Sequence, residues 1–126
     1  MPPPSDKKEQ REGRKAALEA EADRAGSLSL PQLAAELMTK AFTEVRHLGF
    51  EALVTRFAPG TSRQDGQVYE RLWELVGDGL QVLEHASLVR GPEPLNGSGY
   101  GYTATRLGRA ALEQGAVDRI IAGGSL

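Results

Sequence analysis

Two imidazoles, His47 and His85, and no cysteine are all the imidazole and thiolate ligands that the 126 residues offer. Glu44 and His47 form one Glu-x-x-His, but metal centres built on that spacing use a second copy and further carboxylates. His85 supplies neither, and a structural zinc site is not expected without thiolates. "GYGYTA" at 99–104 fits Gly-x-Gly-x-x-Ala. A dinucleotide loop of that form needs a preceding buried strand and a complete βαβ unit, for which the 22 residues after Ala104 are too few. No nucleophile elbow, Walker loop or His-Glu-x-x-His occurs. Glu70 and Glu74 read as a solvated face rather than a general acid and base. Catalysis, a metal and a cofactor are therefore not expected. The richer chemistry lies in "TSRQDGQVYER" at 61–71. Its Ser62, Arg63, Gln64, Gln67 and Arg71 can bond phosphate oxygens or base edges, and by side-chain geometry Arg63 suits guanine and Gln64 or Gln67 adenine. The plainer reading, which composition slightly favours, is polar residues facing solvent around a helix cap.

The elements that must position these residues are legible from apolar spacing. Leu33, Ala34, Leu37, Met38, Ala41, Phe42, Val45 and Leu48 recur at helical intervals and predict an amphipathic helix over roughly 30–47. Ser29 and Gln32 stand at capping-box spacing before it, with Pro31 in the tolerated first turn, and His47 falls at its C-terminus. "FEALVTRF" predicts a second, short helix, ended by Pro59 and Gly60. A third starts after Thr61 or Ser62. Its apolar phase, Val68, Leu72, Leu75, Val76, Leu80, Leu83 and Ala86, survives Gly77 and Gly79. One long helix is therefore preferred, although each glycine costs about 1 kcal/mol; a turn at "GDG" is the alternative. Beside this stripe, Trp73 reads as a core or interface anchor.

Beyond Leu88, "LVR" predicts a short strand, "GPEPLNGSG" a loop, and "YGY" a second strand with Tyr100 and Tyr102 on one face. Thr105 caps a closing helix in which Gly115 can mark a break, and 123–126 are expected to fray. Residues 1–27 differ from this body, which spans 28–122. They are charge and alanine with Leu18 as the one large aliphatic residue, and read as disordered or as a transient solvated helix. Lys7, Lys8, Arg11, Arg14 and Lys15 lie early and Glu19, Glu21 and Asp23 late. A basic arm that touches nucleic acid and a solubilising leader both fit, the leader better.

Whole-chain properties narrow the class. The net charge of −2 argues against coating nucleic acid by charge alone, though not against a local basic face. No apolar run approaches the roughly 18 residues of a membrane span, and "MPPPSDKKEQREGRK" lacks the apolar region of a secretory signal. The absence of cysteine suits a cytoplasmic protein.

Helix, strand, hairpin loop, strand and helix in this order resemble the winged helix-turn-helix of bacterial regulators of the PadR and MarR kind, over about residues 30–122. Leu80, Leu83, Glu84, Leu88 and Val89 match a Leu-x-x-Leu-Glu-x-x-Gly-Leu-Val pattern at the third helix's end, with Ser87 in the glycine position. Tyr102, Thr105, Gly108 and Leu112 match the pattern after the wing. The resemblance implies a mainly α fold with a small β-hairpin and an additional C-terminal helix, Gly108 letting that helix approach closely. Because a left-handed residue is costly for serine, the third helix is expected to end differently here.

The resemblance also implies that the third helix's start enters the major groove of double-stranded DNA. Candidate contacts are then Thr61, Ser62, Arg63, Gln64, Gln67 and Arg71, with Arg90 and Asn96 at the wing and Arg106 and Arg109 at the last helix's start. Against it, residues 60–106 hold four arginines and six carboxylates, a net of −2, and the wing loop has neither Lys nor Arg. Two expectations follow: a regulator that binds duplex DNA, as a homodimer through its first or last helix, or a winged-helix module that binds a protein partner and not DNA.

Overall fold

The computed structural model describes residues 4–95 and 99–126. It is mainly helical, with one small three-stranded antiparallel sheet. The elements are α1 (Pro4–Gly26), α2 (Leu30–Phe42), β1 (His47–Gly49), α3 (Phe50–Phe57), α4 (Gln67–His85), β2 (Val89–Leu95), β3 (Gly99–Ala104), α5 (Arg106–Gln114) and α6 (Val117–Ile121). A single 3-10 turn, Arg63–Asp65, precedes α4.

The core forms where the apolar stripes of α2, α3 and α4 meet. Leu33, Leu37 and Met38 of α2, Leu53, Val54 and Phe57 of α3, and Leu72, Val76, Leu80 and Leu83 of α4 are all buried there. Burying each such side chain contributes roughly 1.5–3 kcal/mol. The α2 start has the predicted capping box: Gln32 N–H donates to Ser29 Oγ, and Ser29 N–H donates to the Gln32 amide oxygen. α4 is one helix through both of its glycines. Gly79 faces α2, where a Cβ would stand 3.1 Å from Leu37 Cδ2, so the residue that weakens the helix lets two helices approach.

The structure departs from the sequence reading at the start of α4, which begins at Gln67 after Gly66 and the 3-10 turn rather than directly after Thr61 or Ser62, and at five further places. First, residues 4–26 form a continuous helix, and Leu18, Ala22 and Ala25 are buried as it packs on α4. Ion pairs flank these three contacts. Arg24 reaches Glu21 and Glu36, and Arg71 reaches Asp23. Second, α2 stops at Phe42 rather than near 47, and His47 lies on a strand. Third, that strand, β1, pairs with β3 through His47↔Thr103 and Gly49↔Gly101, so the expected two-stranded hairpin is three-stranded, in order β1-β3-β2.

Fourth, β2 runs on through Gly91–Leu95, which reads as loop in the sequence. Its two prolines are tolerated because β2 is an edge strand, with a register irregularity between Arg90 and Glu93. Fifth, Ser87 adopts the left-handed conformation, φ 61°, in spite of its side chain. Ser87 N–H donates to Glu84 O and Leu88 N–H to Leu83 O, the paired bonds of a Schellman ending.

The predicted close approach of the last helix is present. A Cβ on Gly108 would lie 2.1 Å from Leu88 O and 2.9 Å from Met38 Cε. Thr105 caps α5 by accepting from Gly108 N–H, and its hydroxyl donates to Ser87 O. One threonine thereby ties the α5 start to the α4 end. Gly115, φ 63°, does break the closing segment, separating α5 from α6.

Candidate functional site

The approach to α4 is organised by Asp65. Its carboxylate accepts from Ser62 N–H at 2.7 Å and from Arg14 at 2.7 Å, and its side chain is only 6% exposed. Arg14 also donates to Gly60 O at 2.8 Å, so a residue of α1 clamps the loop that delivers the chain into α4. Asp65 counts against an anionic partner in a tally of charges along the chain. In space its charge is matched by an arginine 51 positions away.

The predicted contacts divide. Ser62, Arg63, Gln64, Gln67 and Arg71 are exposed around the start of α4. Thr61 is not among them. It is 4% exposed, its hydroxyl directed at Asp65, and the expectation that it contacts a ligand directly is corrected by that burial. Arg63 pairs with Glu51 at 3.2 Å and Arg71 with Asp23, both pairs largely exposed, and the exposed Arg90 pairs with a half-buried Glu93. Exposed pairs are worth about 0–1 kcal/mol, so a phosphate can take these guanidiniums from their partners at small cost.

Arg90 sits on edge strand β2, and Asn96 lies outside the described residues. Arg106 is exposed at the α5 start. Arg109 turns elsewhere, lining a hollow with Phe42, Val45, Arg46 and Leu112, where its Nε is buried without a hydrogen-bond partner among the described residues. Arg109 therefore does not join the cluster around α4.

Sequence reasoning missed what α1 contributes. Arg11, Arg14 and Lys15 face Gln64, Gln67 and Val68 across an open cleft of about 450 Å³ that also takes in Glu19 and Asp65. The early cations of the tail were visible as a charge bias; their placement beside α4 required the docking of Leu18.

Across the sheet, Thr103 joins all three strands. Its hydroxyl contacts Glu93 of β2 and His47 Nδ1 of β1, the latter at 2.8 Å. The hydrogen bond from Thr103, then Arg90, holds the Glu93 carboxyl below its ordinary range. An ionised Glu93 can only accept, so Thr103 donates to it, and His47 Nδ1–H donates to Thr103. Thr103 is buried, and this ladder reads as structural. Among the described residues no three His, Cys, Asp or Glu side chains converge as a metal set, and no helix is long and apolar enough to cross a membrane.

No protein-family model, curated protein or solved structure matches the chain.

Proposed function

We propose that residues 28–122 form a winged helix-turn-helix domain that binds duplex DNA and regulates transcription, with α3 and α4 as the helix-turn-helix and β2–β3 as the wing. The observation that carries the reading is the exposed polar stretch that leads into α4. Ser62, Arg63, Gln64 and Gln67 stand clear of a core that buries α4 from Val68 onward. The element order α2-β1-α3-α4-β2-β3 and the sheet order β1-β3-β2 support it further. Arg63 and the two glutamines supply the donors and acceptors that major-groove edges require. With so few cations on one protomer, a second copy on a two-fold site would multiply the contacts.

Fluorescence anisotropy on labelled duplexes across a salt series tests this. Binding that weakens linearly in log salt, and a loss of about 1–3 kcal/mol for Arg63→Ala on its preferred sequence, is the expected result. No binding at low salt, or Arg63→Ala and Arg71→Ala both indistinguishable from wild type, overturns it.

A second reading is favoured by one surface feature. Trp73 is 37% exposed yet packs at a tilt against Phe50 and Tyr69, ring centroids 4.3 and 5.6 Å away, and Tyr100 is 72% exposed on β3. Aromatic side chains held in place at the surface suit a protein partner. A partner lost on Trp73→Ala, with DNA binding absent, would select this reading.

A further inference from the structure

α1 is amphipathic in charge rather than in hydrophobicity. At about 100° per residue, Lys7, Lys8, Arg11, Arg14 and Lys15 fall within one arc of about 120°. The same arc contains Leu18, Ala22 and Ala25, the three residues buried where α1 docks. Glu9 and Glu12 fall outside it. The face that α1 turns to the body is thus apolar in its second half and cationic in its first, and Lys7, Lys8 and Lys15 take part in no ion pair among the described residues. Arg14 marks the junction, locked to Asp65 and Gly60 O directly before α4.

From this placement we infer that the basic face of α1 is a second contact surface for the sugar–phosphate backbone, continuing the α4 surface along the duplex. The inference rests on the DNA-binding reading above. From Lys7 to Lys15 the stripe runs about 12 Å, at 1.5 Å per residue. At about 3.4 Å of axis per phosphate on one strand, that length spans about three phosphates. The cleft carries Arg11, Arg14 and Lys15 with Glu19 from α1, and Gln64, Gln67 and Asp65 from the opposing wall, where Arg14 neutralises Asp65, so a strand lying there would meet an excess of cations on one side and amides on the other. Residues 7–17 contain no large apolar side chain, which removes the buried face that a membrane-surface helix needs. Regularly spaced cations without apolar anchors fit a regular polyanion better than a folded protein surface, whose recognition draws on aromatic and aliphatic anchors.

The test compares wild type with Lys7→Gln/Lys8→Gln/Arg11→Gln/Lys15→Gln by anisotropy on two unrelated duplexes from 50 to 300 mM salt. All four side chains are exposed, so folding should be retained, and circular dichroism checks it. Each lost phosphate contact lowers the salt slope by about 0.9. The expected result is a slope smaller by about 2–3 and affinity at low salt down at least roughly tenfold, equally on both duplexes, with sequence preference intact. Wild type that binds while the quadruple variant keeps its slope overturns this inference and leaves the α4 reading standing. Wild type that binds neither duplex overturns both.

Discussion

Replacing Ser87 with glycine should make the protein more stable, although it removes atoms and adds no contact. Ser87 closes α4 at φ 61°, the one non-glycine residue described with positive φ. A left-handed conformation costs an L-residue about 1–2 kcal/mol, because Cβ crowds the following carbonyl oxygen. Glycine escapes that cost, but its freer unfolded chain gives back about 0.4–1 kcal/mol. The exposed serine side chain contributes no hydrogen bond among the described residues, so nothing further is lost; the bonds of the ending come from Ser87 N–H and O. The midpoints of these two ranges leave a net gain of about 0.8 kcal/mol. The end of α5 supports the reasoning, since Gly115 occupies the same conformation with the same pair of bonds. Urea unfolding followed by circular dichroism measures it. At a slope of about 1.5 kcal/mol/M the midpoint should rise by about 0.5 M with the slope unchanged. Ser87→Val should move it the other way, since a β-branched side chain tolerates this conformation least. A glycine variant no more stable than wild type would refute the argument that Ser87 is strained.

Other substitutions test the packing. Gly108→Ala should destabilise by about 3 kcal/mol, the upper end of overpacking, because its Cβ meets the Leu88 carbonyl at 2.1 Å and neither backbone can yield freely; a thermal melt reads it. Leu18→Ala should cost about 2–3 kcal/mol of α1 docking. Amide exchange should then accelerate across residues 14–25 and stay slow in 72–83, and protection retained in α1 would contradict the packing. Glu93 titrates below its ordinary range, so its contribution is present above the unfolded-state value and fades as pH falls through the folded one. Glu93→Gln should therefore flatten the acid limb of the stability profile and leave the neutral-to-alkaline limb parallel to wild type.

What the sequence determines here is what acts over a few residues. The α3 boundaries, Phe50–Phe57, follow from apolar spacing and from Pro59. The Ser29 and Thr105 caps follow from side chains that reach N–H groups three positions on. The continuity of α4 is legible because its apolar phase outlasts two glycines. The candidate contacts from Ser62 to Arg71 are legible as residue types, and all five are exposed.

Tertiary structure decides what depends on remote partners. A three-residue strand has no period to read, and β1 exists because β3 pairs with it. The prolines of β2 are compatible with a strand only at a sheet edge, and an edge is a property of the sheet. Ser87 holds its left-handed turn because Thr105, 18 positions later, bonds its carbonyl while Leu88 is buried. Leu18, Ala22 and Ala25 carry too little apolar surface to announce a docked helix, and α4 gives them a place to bury it. That docking sets Arg14 on Asp65 and turns a scattered charge bias into a cationic face beside α4. Caps and periodicities are short-range energies written along the chain; burial, edge position and ion pairing depend on which segments the fold brings together.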